Sequence, residues 1–237
     1  MKYFWFILLI IFGIKPLTSY SQNDSISFYN KKFGYKSYIA PSLLITYGLI
    51  NLKNNGPTSS LSIKNYRDDN WNSFKTSTDD YLAFSPGLIM IGLDLLKVKS
   101  TSNIPNQFAI TTKSAILGLG LVNVLKYSTE TLRPDASNKY SFPSGHTAFA
   151  FILAEILHQE YKNKPIVIFS GYTLATTVGA MRILNNKHWF SDVCVGAGIG
   201  IISTKLIYAT HKNKWKMNKN NWFPIIGTNQ LGFTYSF

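Results

Sequence analysis

The stretch Ser141-Phe142-Pro143-Ser144-Gly145-His146-Thr147 decides how the rest of the chain is read. Pro143 fixes its own φ and has no amide to donate. Gly145 lets the backbone come close to a ligand. Beyond it, Ala148, Phe149, Phe151, Ile152, Leu153, Ile156 and Leu157 follow a helical pattern. Ser144 to His146 therefore stand at a helix N-terminus, where orphan amides and the positive end of the helix dipole favour an anion. A histidine there can act as an acid on a bound phosphate. Alone, the stretch is as well described as an ordinary capped helix start, because anion-competent helix starts are common.

Working outward, the polar, irregular run Tyr127–Pro143 follows a good helix pattern over Phe108–Lys126. Thr147–Tyr161 is predicted helical. Pro165 suits the first turn of another helix, which runs to about Arg182. Leu184–Lys187 is a short connection. His188–Thr210 is predicted helical, with Gly196, Gly198 and Gly200 allowing close packing. Upstream, Asp80–Leu96 is a helix candidate interrupted by Pro86 and Asp94. Ser37–Leu52 is apolar but short and carries Pro41, and Lys53–Asp79 reads as a long polar loop with room for one short helix. Downstream, Lys212–Asn221 is a solvated linker. Phe223–Ile226 and Leu231–Phe237, the latter with alternating aromatics, flank Gly227–Gln230 as a β-hairpin would. The fold class is all-α: a helical bundle with its active site at one end, plus a C-terminal β-hairpin covering the core.

The chain has 237 residues and a formal charge of +13, from 24 basic and 11 acidic side chains. That balance favours anionic partners. Only Arg67, Arg133 and Arg182 are arginines, so generic charge is carried by lysine. A planar two-pronged anion contact is the sharper reading of Arg133 and Arg182. Arg67 reads as a solvated surface arginine. Met1-Lys2, the apolar run Tyr3–Ile14 and the small residues Ser19 and Ser21 read as a secretory signal over residues 1–21, with an uncleaved membrane anchor as the alternative. Export argues against a nucleic-acid role. The single cysteine, Cys194, excludes an internal disulfide. The expected divisions are the signal 1–21, a helical and loop region 22–107, a core 108–211, and the linker with the hairpin 212–237.

The informative polar residues collect at helix ends. Lys126 closes one helix, His146 opens the next, Arg182 closes the third and His188 opens the fourth. In an up-and-down bundle these four fall at the same end, with Arg133 and Ser144 in the loop over it. Asp192 follows His188 by four residues, which places both on one helix face. There a carboxylate can hold the imidazole tautomer and stabilise its cation. His158 reads as a helix-face residue and His211 as a surface residue, with Glu155 and Glu160 facing solvent.

Lys126, six residues and Arg133-Pro134 resemble the first signature of the type 2 phosphatidic acid phosphatase family, which is related to the vanadium haloperoxidases. Pro143-Ser144-Gly145-His146 resembles the second. Arg182, five residues, His188, three residues and Asp192 resemble the third. Met181 departs from the serine the family often has before that arginine. The resemblance implies phosphate hydrolysis without metal or other cofactor, through a phosphohistidine. His188 is implied as nucleophile, Asp192 as its support and His146 as acid and then base. Lys126, Arg133, Ser144, Gly145 and Arg182 are implied to bind phosphate.

The expected substrate is a lipid phosphate or pyrophosphate. The alternatives are a soluble, exported, non-specific acid phosphatase and a binding protein without turnover; a haloperoxidase ranks lower because those chains are usually much longer. Lys113 and Glu155 make the neighbouring helices poor spans. The chain is therefore expected to be exported, periplasmic or membrane-associated, with its site outside the cytoplasm and in contact with a membrane through a basic, aromatic surface. No protein partner is inferred.

Overall fold

A computed structural model of the chain describes residues 33–53 and 59–211, together with the backbone of 222–227 and 230–235. The expected signal and linker lie outside the described residues. The helices are α1 (Lys36–Ile50), α2 (Ser60–Trp71), α3 (Thr78–Leu82), α4 (Ser85–Leu95), α5 (Ile104–Thr129), α6 (Gly145–Glu160), α7 (Pro165–Leu184) and α8 (Phe190–Thr210). Strands β1 (Trp222–Gly227) and β2 (Gln230–Tyr235) pair antiparallel, with Gly227 opposite Gln230 at the turn.

Local sequence explains the boundaries. Asn103 caps α5, accepting from the Asn106 amide at 3.2 Å, and Pro105 sits in the first turn. Helix α5 therefore starts four residues before the apolar pattern suggested. Pro86 starts α4 rather than interrupting a helix. The polar run read as a loop contains α2, whose cap Ser59 accepts from the Ser62 amide.

Helices α6 and α8 form the centre. α6 is buried around most of its circumference, as a helix enclosed by others is. Its Ala148, Ala150, Ile152, Ala154, Ile156 and Leu157 are fully buried. α8 packs against α1, α5 and α6, while α4 and α7 flank α6. Glycines allow the tight crossings: a Cβ on Gly198 would stand 2.8 Å from the Pro41 carbonyl oxygen of α1.

This enclosure corrects several expectations. Glu155 does not face solvent; it is buried, 2.8 Å from Lys205 Nζ, and accepts from Gln159 and Tyr172. Glu160 is buried as well and accepts from the Tyr208 hydroxyl at 2.6 Å. His211 is a buried residue whose Nε2 lies 3.2 Å from Asn106 Oδ1. Arg67 is no surface arginine: it is buried, and its Nε donates to the Leu184 carbonyl at 2.9 Å, at the end of α7. Each of these groups meets partners distant in sequence that satisfy its polar atoms.

The outer helices are the reverse case. Ile116 and Val124 of α5 are 61% and 66% exposed, Phe169 of α7 is 74% exposed, and Leu95 of α4 is 76% exposed. An apolar exterior of this extent marks membrane association. The helices Ile104–Thr129, Pro165–Leu184 and Phe190–Thr210 are each long and apolar enough to cross a bilayer. The expectation of uniformly poor spans is corrected for these three. Lys113 does not spoil α5, because its ammonium lies 3.3 Å from His211 Nδ1.

Candidate active site

Helix termini set the site. The loop 130–144 returns the chain from the end of α5 to the start of α6. Its own backbone holds it: the Arg133 amide donates to the Asn138 carbonyl, and the Ser141 amide to the Thr131 carbonyl. Lys126, in the last turn of α5, donates to the carbonyls of Tyr140 (2.9 Å), Ser141 (3.3 Å) and Pro143 (2.7 Å). Its three protons thus staple the loop, and its charge is felt at His188.

Ser144 is the N-cap of α6. Its Oγ accepts from the Thr147 amide at 3.4 Å and lies 2.9 Å from Thr147 Oγ1. Its amide donates to the Asp192 carbonyl at 3.0 Å, which fixes the start of α6 to the start of α8. The hydroxyl therefore works on the helix cap, leaving the first-turn amides of Gly145 and His146 as the donors a helix start offers an anion. A Cβ on Gly145 would meet only Val122 Cγ1, at 3.7 Å. Packing does not require glycine there, and the side toward the helix start is open to close approach.

His188 and Asp192 are both buried, with His188 Nδ1 3.4 Å from Asp192 Oδ2. The same oxygen accepts from the Trp189 amide at 2.9 Å and from Ser141 Oγ at 2.5 Å. Ser141 was quoted in the sequence without a role, and the structure gives it one: it holds the carboxylate that faces His188. Ser141→Ala removes one hydrogen bond of about 1 kcal/mol. The expected outcome is a several-fold fall in turnover with a melting temperature lowered by only about 2–4 °C, read by steady-state kinetics beside circular dichroism.

Burial holds the His188 imidazole well below its usual pKa, and the positive charges of Arg182, Lys126, Arg133 and His146 add to the effect. These are the residues the spacing placed at one bundle end, and all of them act on one imidazole. Its neutral form is the nucleophilic one. Burial, and then Arg182, push His146 down to about 4, against the opposing charges of Asp80 and Asp79.

Sequence reasoning missed those two aspartates. Asp79 is buried; its Oδ2 lies 2.6 Å from Arg182 NH1 and its Oδ1 accepts from Asn185 Nδ2 at 2.9 Å. Asp80 Oδ1 lies 3.0 Å from His146 Nε2 and 3.5 Å from Arg182 NH1. The available signal was Ser77-Thr78-Asp79-Asp80, hydroxyls and acids that open a helix.

Among the described residues, the Nε atoms of Arg133 and Arg182 are buried donors with no protein acceptor. Two orphaned guanidinium N–H groups beside a neutral, buried histidine suit a tetrahedral oxyanion.

The sequence profile of the PAP2 superfamily matches residues 135–216. This segment is thus similar to the PAP2 superfamily. The PAP2 segment contains Ser144, Gly145, His146, Arg182, His188 and Asp192, with Lys126 and Arg133 just upstream. The chain is similar to "Lipid A 1-phosphatase" of Porphyromonas gingivalis, at 37% identity over 150 residues, covering 62% of this chain. It spans about a third of that relative's length, 34%. Two solved structures are similar at lower levels. One is the crystal structure of Aquifex aeolicus LpxE, with 24% identity and a TM-score of 0.47, covering 60% of this chain and 92% of that one. The other is a transmembrane PAP2 type phosphatidylglycerolphosphate phosphatase from Bacillus subtilis, with 18% identity and a TM-score of 0.45, covering 71% and 94%.

Proposed function

We propose that the protein hydrolyses a phosphate or pyrophosphate ester carried on a lipid, through a phosphohistidine on His188. The observation that carries this reading is the pair of orphaned guanidinium donors, Arg133 Nε and Arg182 Nε, converging with His146 on a buried imidazole. Asp192 faces Nδ1 of His188, so the Nε2 lone pair is the one that attacks phosphorus. As the P–N bond forms, the bond to the leaving oxygen breaks and His146 supplies that oxygen with a proton. His146 then takes a proton from water, which attacks phosphorus, frees His188 and yields inorganic phosphate. Arg133 and Arg182 stabilise the equatorial oxygens, with the field of Lys126 behind them.

Two observations support a lipid substrate. The apolar exterior of α4, α5 and α7 supports a scaffold held at a membrane, and the Porphyromonas relative is named for lipid A. A site facing away from the cytoplasm belongs to the same proposal.

The test is phosphate release by the full chain in detergent, from phosphorylated lipids and from soluble phosphate esters, with and without a chelator. Preferential release from a lipid, unchanged by chelator and inhibited by vanadate, is the expected result. Release prevented by the chelator would overturn the histidine mechanism. Preference for soluble esters would overturn the lipid assignment.

A further inference from the structure

Asp79 and Asp80 belong to none of the three signature stretches, yet they reach the two residues on which the chemistry depends. The short helix α3 is fixed first. Buried Asp79 binds Arg182 NH1 at 2.6 Å and Asn185 Nδ2 at 2.9 Å, and Asn185 Nδ2 also donates to the Thr76 carbonyl at 2.9 Å. The Thr76 amide returns a bond to Asn185 Oδ1 at 2.9 Å. These contacts tie α3 to the end of α7. The next residue, Asp80, is half-exposed at the mouth, and one of its oxygens faces both His146 Nε2 and Arg182 NH1.

The geometry points to Asp80 as a positioning residue that makes His146 an effective acid, with Asp79 as the anchor that sets both Asp80 and Arg182 in place. The inference rests on the phosphatase reading and deepens it. By accepting from Nε2, Asp80 fixes the imidazole and leaves its other nitrogen to serve the leaving oxygen. In the first half-reaction that nitrogen gives its proton to the oxygen as the P–O bond breaks. In the second it takes a proton from the attacking water, so the histidine returns to its starting state.

The need for such a partner follows from the surroundings. His146 is faced by Arg182 of α7, Arg133 of the loop and His188 of the α7–α8 connection, with Asp79 and Asp80 of α3 opposing them. The cations work against a protonated imidazole, and Asp80 is the carboxylate within hydrogen-bond reach of it. An ordinary surface ion pair would be free to drift. This one is built on a buried carboxylate with two protein partners.

Asp80→Asn tests it, with two readouts. The first is the titration of His146 in the histidine-labelled full chain in detergent, its resonance identified by its loss in His146→Ala. The midpoint should move to lower pH in Asp80→Asn and return in Asp80→Glu, because a lost carboxylate leaves the cations unopposed. The second is turnover against leaving group. Phenyl phosphate, a poor leaver, should slow by roughly tenfold or more, and dinitrophenyl phosphate by less than about threefold. Asp79→Asn should slow both esters, since Arg182 grips the phosphoryl group whatever leaves, and phenyl phosphate the more, since Asp80 loses its anchor. An unmoved His146 titration, or equal losses on both esters in Asp80→Asn, would overturn the inference. So would tighter inorganic phosphate binding with an unchanged leaving-group dependence, which would make Asp80 a competitor of phosphate. A chain that hydrolyses no phosphoester while its His146 still follows Asp80 would sink the phosphatase reading and keep the pairing.

Discussion

His188→Ala is expected to reduce turnover by a factor of about a thousand or more, the scale on which loss of a covalent nucleophile is felt. The imidazole is buried and faced by the positive charges of Arg182, Lys126, Arg133 and His146. No water can occupy that position with the same alignment and the same support from Asp192. Phosphate binding should persist, since Arg133 and Arg182 remain, so vanadate or phosphate should still protect the variant against thermal unfolding. The measurement is a rapid quench with labelled phosphoester: the wild-type chain should hold acid-labile, alkali-stable label on protein, and the variant none. Asp192→Asn should fall between them, because it loses the charge facing Nδ1 and keeps the nitrogen that attacks. Equal labelling of wild type and His188→Ala would remove the covalent mechanism.

Much of the site was legible because helix phase carries it. Lys126, His146 and Arg182 lie in the end turns of consecutive helices and His188 in the short connection before α8, two residues ahead of its start at Phe190, and antiparallel packing brings the four together. What stayed hidden depends on contacts with no local period. Asp79 and Asp80 lie in the polar region before α4, and nothing in their spacing refers to Arg182, about a hundred residues away. Ser141 was in view, but a hydroxyl two residues before a proline helical cap region does not announce a carboxylate in another helix.

The glutamates were misread although a signal existed. The run Ala148–Leu157 is apolar around the helix apart from Glu155, which points to an enclosed helix and hence to buried, partnered glutamates. The partners, Lys205 and Tyr208, come from α8. The membrane reading shifted for a related reason. Hydropathy judged by isolated charges penalises Lys113, whereas in the fold that ammonium is next to His211 and the rest of α5 presents Ile116 and Val124 outward. Of the expected hairpin, the described residues show the antiparallel backbone pairing of Trp222–Gly227 with Gln230–Tyr235.

Gly196→Ala should damage both stability and catalysis, through one contact. A Cβ there would stand 2.5 Å from the Ser144 carbonyl oxygen and 3.5 Å from the Ala148 amide nitrogen. The obstacle is backbone, which cannot rotate away, so α6 and α8 must separate. Overpacking of this kind costs about 1–3 kcal/mol, which corresponds to a fall in melting temperature of roughly 3–10 °C for a domain of this size. The same separation stretches the 3.0 Å bond from the Ser144 amide to the Asp192 carbonyl, the link that registers the start of α6 against the carboxylate residue facing His188. Turnover should therefore drop by roughly tenfold or more, since small misplacements of reacting groups are costly. Gly145→Ala provides the contrast. Its Cβ meets only Val122 Cγ1 at 3.7 Å, so melting should match the wild type while activity falls through poorer phosphate approach. Melting followed by tryptophan fluorescence in detergent, with turnover on the same samples, separates the two. A Gly196→Ala chain that melts and turns over like the wild type would show that α6 and α8 can yield at this crossing, and that the register of Ser144 against Asp192 is not what aligns the site.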